Sequence, residues 1–153
     1  MAFDSTYNTV ITGLGCKVEY CTTSGGSYTE VGQLRGIDGT SSEVTMWDST
    51  GLKSDAGEQV PTIFRAGDFG FKVGFDPANT THDAIHDAHQ AKTLLYWKLT
   101  FPSPVGPGAV APGSPKAYQF AAYVKSFATS GYEVESGVEA QIGLAITGTV
   151  EIV

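Results

Sequence analysis

The sequence predicts a mainly β fold, a β-sandwich or partly open barrel with one short flanking α-helix, built as a single domain from its 153 residues. Three observations lead there. Glycine (19), proline (7), tyrosine (7) and phenylalanine (8) are plentiful while only 16% of residues are charged, a composition that suits short strands and tight turns. Several segments alternate apolar and polar residues with period two, most clearly Asp68 to Asp76 and Gln141 to Val153. Thr81 to Lys92 breaks that rhythm with alanines and Ile85 at helical spacing.

The elements follow in order. Met1 to Thr12 alternates weakly around Tyr7 and Val10 and reads as an arm that needs a neighbour to order it. Cys16, Val18 and Tyr20 alternate with Lys17, Glu19 and Cys21, the pattern of a half-buried strand. The turn Ser24-Gly25-Gly26-Ser27 leads into a second strand, Tyr28 to Arg35, and after a connection at Gly36 to Thr40 a third strand spans Glu43 to Trp47. Asp48 to Pro61 lacks apolar periodicity and reads as one long loop, a length that is usually functional.

Phe69, Phe71, Val73 and Phe75 then share one face of a core strand, with Asp68, Gly70, Lys72 and Gly74 on the other. Asn79, Thr80 or Thr81 can cap the helix expected from Thr81 to Lys92, whose Ala84, Ile85, Ala88 and Ala91 form its apolar face. Leu94 to Phe101 is the next strand. Pro102 to Pro115, with five prolines and three glycines, excludes both helix and a paired ladder and reads as an extended hairpin tip. Tyr118 to Ala128 and Gln141 to Val153 complete the sheet, the last with Ile142, Leu144, Ile146, Val150 and Ile152 opposed to Gly143, Ala145, Thr147, Thr149 and Glu151.

Charge and motif content narrow the function. A formal net charge of −7 with no basic run opposes a protein that grips a phosphate backbone. Residues 1–20 lack the features of a signal peptide, and no run of about 18 apolar residues is present to span a bilayer, so a soluble product of the cytosol is expected, with no membrane partner. Cys16 and Cys21 point to opposite strand faces and are expected to be reduced structural thiols.

No catalytic residue and no cofactor are expected. The Gly-x-Ser-x-Gly elbow and the phosphate loops are absent, and carboxylate pairs such as Asp83/Asp87 lack the aromatic cleft of a glycosidase. His82, His86 and His89, at i, i+4 and i+7, form a stripe about 60° wide that could hold a transition metal. The same wheel sets them roughly opposite the alanine and isoleucine face, which favours a solvated or interface-facing stripe. Trp47 and Trp97 read as core or interface anchors. Long strands with unprotected edges point to pairing with further copies.

Five correctly spaced segments carry a resemblance: Tyr28-Thr29-Glu30-Val31-Gly32-Gln33-Leu34-Arg35-Gly36-Ile37, Trp47-Asp48-Ser49, Arg65 to Pro77, Trp97-Lys98-Leu99-Thr100-Phe101-Pro102, and Tyr118 to Phe127. Together they resemble the major tail tube protein of long-tailed (siphovirus, lambda-like) bacteriophages over roughly Gly13 to Val150. The resemblance implies a single tail-tube domain over residues 1–153 that assembles in the host cytoplasm. It implies hexameric rings stacked into the hollow tail tube through which double-stranded DNA is ejected. It also implies tape-measure, tail terminator and tail-tip proteins as partners.

Carried onto this chain, the resemblance makes the 48–61 loop an inter-ring contact through Asp48, Leu52, Lys53, Asp55 and Glu58, and residues 1–12 a terminal arm. The 102–115 segment departs from the short turn expected between its flanking strands. Small or polar faces that would let DNA slide make Asp68, Lys72, Thr147, Thr149 and Glu151 candidates for the lumen wall. About six copies with about four strands each, tilted about 40°, give a barrel roughly 45 to 50 Å across, wide enough for a duplex. Two alternatives belong to other classes: an exported-type β-sandwich that binds carbohydrate or a cell surface, and a metal-binding enzyme or sensor built on the three histidines.

Overall fold

The computed structural model describes residues 15–102 and 116–153. The expected arm at 1–12 and nearly all of the 102–115 loop lie outside them. In chain order the elements are β1 (Lys17–Cys21), β2 (Thr29–Glu30), β3 (Leu34–Asp48), β4 (Gln59–Gly74), α1 (Thr80–Ala91), β5 (Leu94–Thr100), β6 (Ala117–Ser130) and β7 (Glu139–Ile152). Every strand joins one antiparallel sheet in the order β2-β1-β5-β6-β7-β4-β3.

Aromatic packing makes that sheet curl. In a flat sheet β4 and β5, three places apart, would lie about 14 Å from each other. The rings of Phe71 on β4 and Trp97 on β5 nevertheless sit 5.7 Å apart, and Phe69 on β4 lies 5.4 Å from Phe120 on β6. One sheet therefore faces itself around a core of Val18, Phe69, Phe71, Val73, Leu95, Trp97, Phe120, Ala122, Ile142 and Leu144. The end strands β2 and β3 do not pair, which leaves a partly open barrel rather than two separate sandwich layers.

Strand β3 shows why the sequence hid part of this. The expected strand from Tyr28 to Arg35 pairs only at Thr29–Glu30, and the expected connection at Gly36 to Thr40 is itself strand. Register shifts against β4 fall between Leu34 and Gly36 and between Ile37 and Gly39, so Leu34, Ile37 and Thr40 oppose Val73, Phe71 and Phe69 at intervals of three. Bulges cancelled the period-two signal. Gly39, at φ +86°, takes a backbone conformation that an L side chain resists.

The helix lies within one residue of its expected position. Asn79 caps it, its side-chain oxygen accepting from the Thr81 amide at 3.0 Å. The histidine stripe, however, faces the body of the protein. Helix α1 buries Thr81, His82, Ile85 and Ala88, an arc centred on Ile85, and not the Ala84/Ala91 side. His82 is fully buried because both its nitrogens find backbone partners: the Asp76 amide donates to Nδ1 at 3.2 Å, and Nε2 donates to the Gly32 carbonyl at 2.7 Å. His86 sits edge-on to Phe127, and His89 Nδ1 lies 3.0 Å from the Val124 carbonyl. The expectation of a solvated stripe is corrected: these rings join helix to sheet.

Candidate assembly interface

Two surfaces carry the candidate residues. The first is a ribbon. Strand β4 pairs with β7 from Asp68 to Gly74, so among the described residues its earlier half is paired to β3 alone and projects beyond the sheet as a two-stranded hairpin. The long loop expected at 48–61 shrinks accordingly to residues 49–58. Pro61 fits inside β4 because the strand has an open side there, where a missing amide goes unused.

Both sides of the ribbon are apolar and exposed. Val44 pairs with Phe64 and Met46 with Pro61 on one face, in register with the core-facing row through Phe69. Trp47 pairs with Val60 on the other, and Ile63 sits in the irregularity between them. Trp47 is 62% exposed and Ile63 58%. An isolated two-stranded ribbon is marginal in water, and a contiguous apolar surface of this kind marks an interface. Thus Trp97 is a core residue and Trp47 an exposed one.

Side chains near the tip organise the 49–58 loop. Asp48 Oδ1 accepts from the Thr50 amide at 2.9 Å, and the Thr50 hydroxyl and amide together hold the Asp48 carboxyl below its ordinary value of 3.8. The Glu58 amide donates to the Thr50 hydroxyl at 2.9 Å, so Glu58 closes the loop through its backbone. At the apex the Ser54 amide donates to the Gly51 carbonyl at 3.0 Å, making a β-turn with Leu52 and Lys53 at its centre. Leu52 is fully exposed. Asp55 lies exposed beside that turn.

The second surface is the face of the sheet opposite the core. Register places Asp68 beside Ala145 and Tyr123, Thr147 beside Ala121 and Tyr96, Lys72 beside Gln141, and Glu151 beside Gln119 and Lys98. Thr149 lines a shallow concavity with Thr147 and Glu151, beyond a bulge at Gly148, whose φ is +83°. All five lumen candidates are therefore exposed on the same face, which spans the four strands β5, β6, β7 and β4. Glu19, Asp68 and Glu151 are interleaved there with Lys72, Lys98 and Lys125, and Lys125 pairs with Asp68. The face mixes both signs and is not uniformly acidic.

The family model for the phage tail tube, TTP, lambda-like, matches residues 17–153. The chain belongs to the lambda-like phage tail tube protein family. Solved structures agree in fold. The SPP1 tail tube, determined by solid-state NMR and cryo-EM, superposes with a TM-score of 0.72 at 17% identity, covering 94% of this chain and 78% of that one. The tail of the empty gene transfer agent particle, refined helically with C6 symmetry, gives 0.69 at 13% identity, with 94% and 99% covered. The 6-fold symmetrised baseplate of the anti-feeding prophage gives 0.66 at 8% identity, with 90% and 91% covered. No curated protein matches the chain.

This tail tube protein is a structural, tube-forming component of the virion tail. No helix among its described residues is long and apolar enough to cross a membrane. Sequence reasoning drew its candidates from the ribbon tip and the polar face; it read Glu43 to Trp47 as strand and Trp47 as a core or interface anchor, but did not pair that strand with the residues from Val60 to Phe64. The signal was present in Val44-Thr45-Met46-Trp47 and Val60-Pro61-Thr62-Ile63-Phe64, two apolar runs either side of a polar turn. The expected loop was drawn through to Pro61 for want of apolar periodicity, whereas β4 begins at Gln59.

Proposed function

We propose that six copies of this tail tube protein close into a ring through the open edges of their sheets, that rings stack into a hollow tube, and that the polar face lines its bore. The observation that carries the reading is the placement of Asp68 and Lys72 on β4 and Thr147, Thr149 and Glu151 on β7 on one exposed face, which continues over β6 and β5 on the side away from the core. Among the described residues β3 leaves one long edge unpaired, while the five-residue β1, paired to β2 at Glu19 and Tyr20, leaves a short one at the other end of the sheet. Edges of that length aggregate unless covered, and head-to-tail pairing among copies covers them all once a ring closes. Counting only the four strands β5, β6, β7 and β4 that carry the polar face, six copies give the barrel of roughly 45 to 50 Å estimated from strand spacing and tilt.

Interleaved charges suit a conduit. A basic wall would take up phosphates, release their counterions and hold the DNA, whereas alternating signs separated by Ala121, Gly143, Ala145 and Thr147 give a passing duplex no run of cations to bind. The role is architectural, without catalysis, and the expected partners are a tape-measure protein within the bore and terminator and tip proteins at the tube ends. Electron microscopy of the purified, untagged chain tests the assembly: rings and hollow tubes of uniform width with sixfold end views support it. Open ribbons or a strict monomer at all concentrations, even with tail-tip complexes added as initiators, would remove it.

A further inference from the structure

The two poles of the subunit carry matching turns. Strand β4 runs from Gln59 beside the hairpin tip to Gly74, which pairs with Glu139 at the start of β7, a path of roughly 50 Å before bulges and curl shorten it. At the first pole the turn Gly51–Ser54 presents Leu52 and Lys53. At the second, the loop joining β6 to β7 contains the turn Glu133–Ser136, in which the Ser136 amide donates to the Glu133 carbonyl at 3.3 Å. Val134 and Glu135 stand at its centre. Leu52 is 110% and Val134 105% exposed, and Tyr132 beside Val134 is 73% exposed. Each pole therefore offers one bare aliphatic side chain beside charge: Leu52 is followed by the cation Lys53, with Asp55 two residues further on, and Val134 is flanked by the carboxylates Glu133 and Glu135.

Other features carry less. The groove of about 680 Å³ between the open edges, lined by Leu34, Ile37, Leu99, Phe101 and Tyr118, shows nothing that selects an occupant. Both nitrogens of His82 are taken by backbone groups, so it offers no binding capacity.

We infer that the turn at Leu52 and Lys53 of one copy docks on the turn at Val134 and Glu135 of a copy in the adjoining ring, with Leu52 against Val134 and Tyr132 and Lys53 against Glu135. The inference rests on the tube reading and names the receiving site for the hairpin tip. Its geometry is head-to-tail, since the two patches lie on opposite ends of one molecule, so it propagates along an axis rather than closing on itself. Strands of a barrel tilt by about 35–45° but still run from one rim to the other, which puts the two turns on opposite rims of a ring. The charge pair supplies register and polarity more than strength, because one exposed pair contributes little. Repetition around the ring multiplies it.

Charge reversal tests the contact. Lys53→Glu or Glu135→Lys alone is expected to leave rings intact and to cut tube elongation by roughly tenfold or more, given a small effect per contact repeated in every copy of a ring. The double variant Lys53→Glu/Glu135→Lys is expected to restore long tubes. Single reversals that elongate normally, or a double variant no better than the worse single, would overturn the inference. A second measurement uses Leu52→Cys combined with Val134→Cys: oxidised tubes should give a denaturing-gel ladder extending beyond the copy number of one ring. A ladder that stops at that number places the contact within a ring and overturns it, as do well-formed tubes with no cross-link. A wild-type chain that never forms tubes removes the tube reading itself, an outcome separate from either of these.

Discussion

Phe71 and Trp97 meet at 5.7 Å between ring centroids, tilted by 55°, although β6 and β7 separate their strands in the sheet. This contact closes the curl, and both side chains are fully buried. The indole Nε1 of Trp97 has no hydrogen-bond partner among the described residues, a cost of about 1–3 kcal/mol that the buried ring area must offset. Phe71→Ala should therefore destabilise the subunit by about 3–5 kcal/mol, the range for emptying a buried aromatic site. Urea unfolding of the free subunit measures it, and a loss below about 1 kcal/mol would show that the curl does not depend on this pair.

His82 joins three segments. Its ring links helix α1 to Asp76 and Gly32 and stacks on Phe75 at 6.1 Å, while Thr81 Oγ1 accepts from the Gly32 amide at 3.2 Å. His82→Ala leaves a part-buried amide and a part-buried carbonyl without their imidazole partner and opens a cavity where the ring was buried, so a loss of about 2–4 kcal/mol is expected. Hydrogen exchange should show the helix amides losing protection before those of β6 and β7. Equal loss of protection everywhere would mean that the helix has no independent stability to lose.

Lys92 ends the helix in the left-handed region, φ 56° and ψ 39°, with its amide bonded to the Ala88 carbonyl. Glycine takes that conformation without the Cβ clash that costs other residues about 1–2 kcal/mol. After the extra freedom of glycine in the unfolded chain is subtracted, Lys92→Gly should stabilise the protein by about 0.5–1 kcal/mol. The melting temperature should rise by about 1–4 °C. A fall would show that the lysine side chain contributes something its exposed position does not suggest.

How much of this was legible in the sequence depended on the regularity of each strand. Phe69, Phe71 and Val73 alternate without interruption and were placed on the correct face, as were Ile142 and Leu144, and the helix was announced by three candidate caps, Asn79, Thr80 and Thr81, of which Asn79 serves. Strand β3 was not legible as one strand, because bulges beside Arg35 and Asp38 turn period two into period three. The polar face was legible as the complement of a clear apolar one. The histidines were misplaced because a helical wheel ranks imidazole as polar, and only the fold reveals the Asp76 amide and the Gly32 carbonyl waiting for it.

The hairpin tip should respond to acid. Hydrogen bonds from the Thr50 hydroxyl and amide favour the ionised Asp48 carboxyl, so its folded value lies below 3.8. A depressed folded value adds stability that is present above the unfolded value and lost as pH falls through the folded one. Order in the 49–58 loop should therefore weaken only at pH below 3.8, with the core unaffected. Carbon-detected NMR of the Asp48 carboxyl together with amide exchange of the loop reads both. Asp48→Asn keeps the acceptor but removes the titration, so it should abolish the pH dependence; a dependence that survives would place its origin elsewhere.

Cations placed on the polar face should slow DNA without preventing assembly. Thr147 and Thr149 are exposed on that face next to Ala121 and Tyr96, with room for longer side chains and no core contact to disturb. Thr147→Lys with Thr149→Lys would add two cations per subunit, repeated around every ring, and so build the basic wall that the native face avoids. Each added phosphate contact releases counterions, so retardation should be strong at low salt and fade as salt rises. Tails carrying the double variant should look normal by electron microscopy while ejecting DNA more slowly, with a steep salt dependence that wild-type tails lack. Thr147→Gln with Thr149→Gln controls for bulk and should eject normally. Normal ejection by the lysine variant at low salt would place this face outside the bore, and equal slowing by the glutamine variant would assign the effect to a narrowed channel instead of to charge.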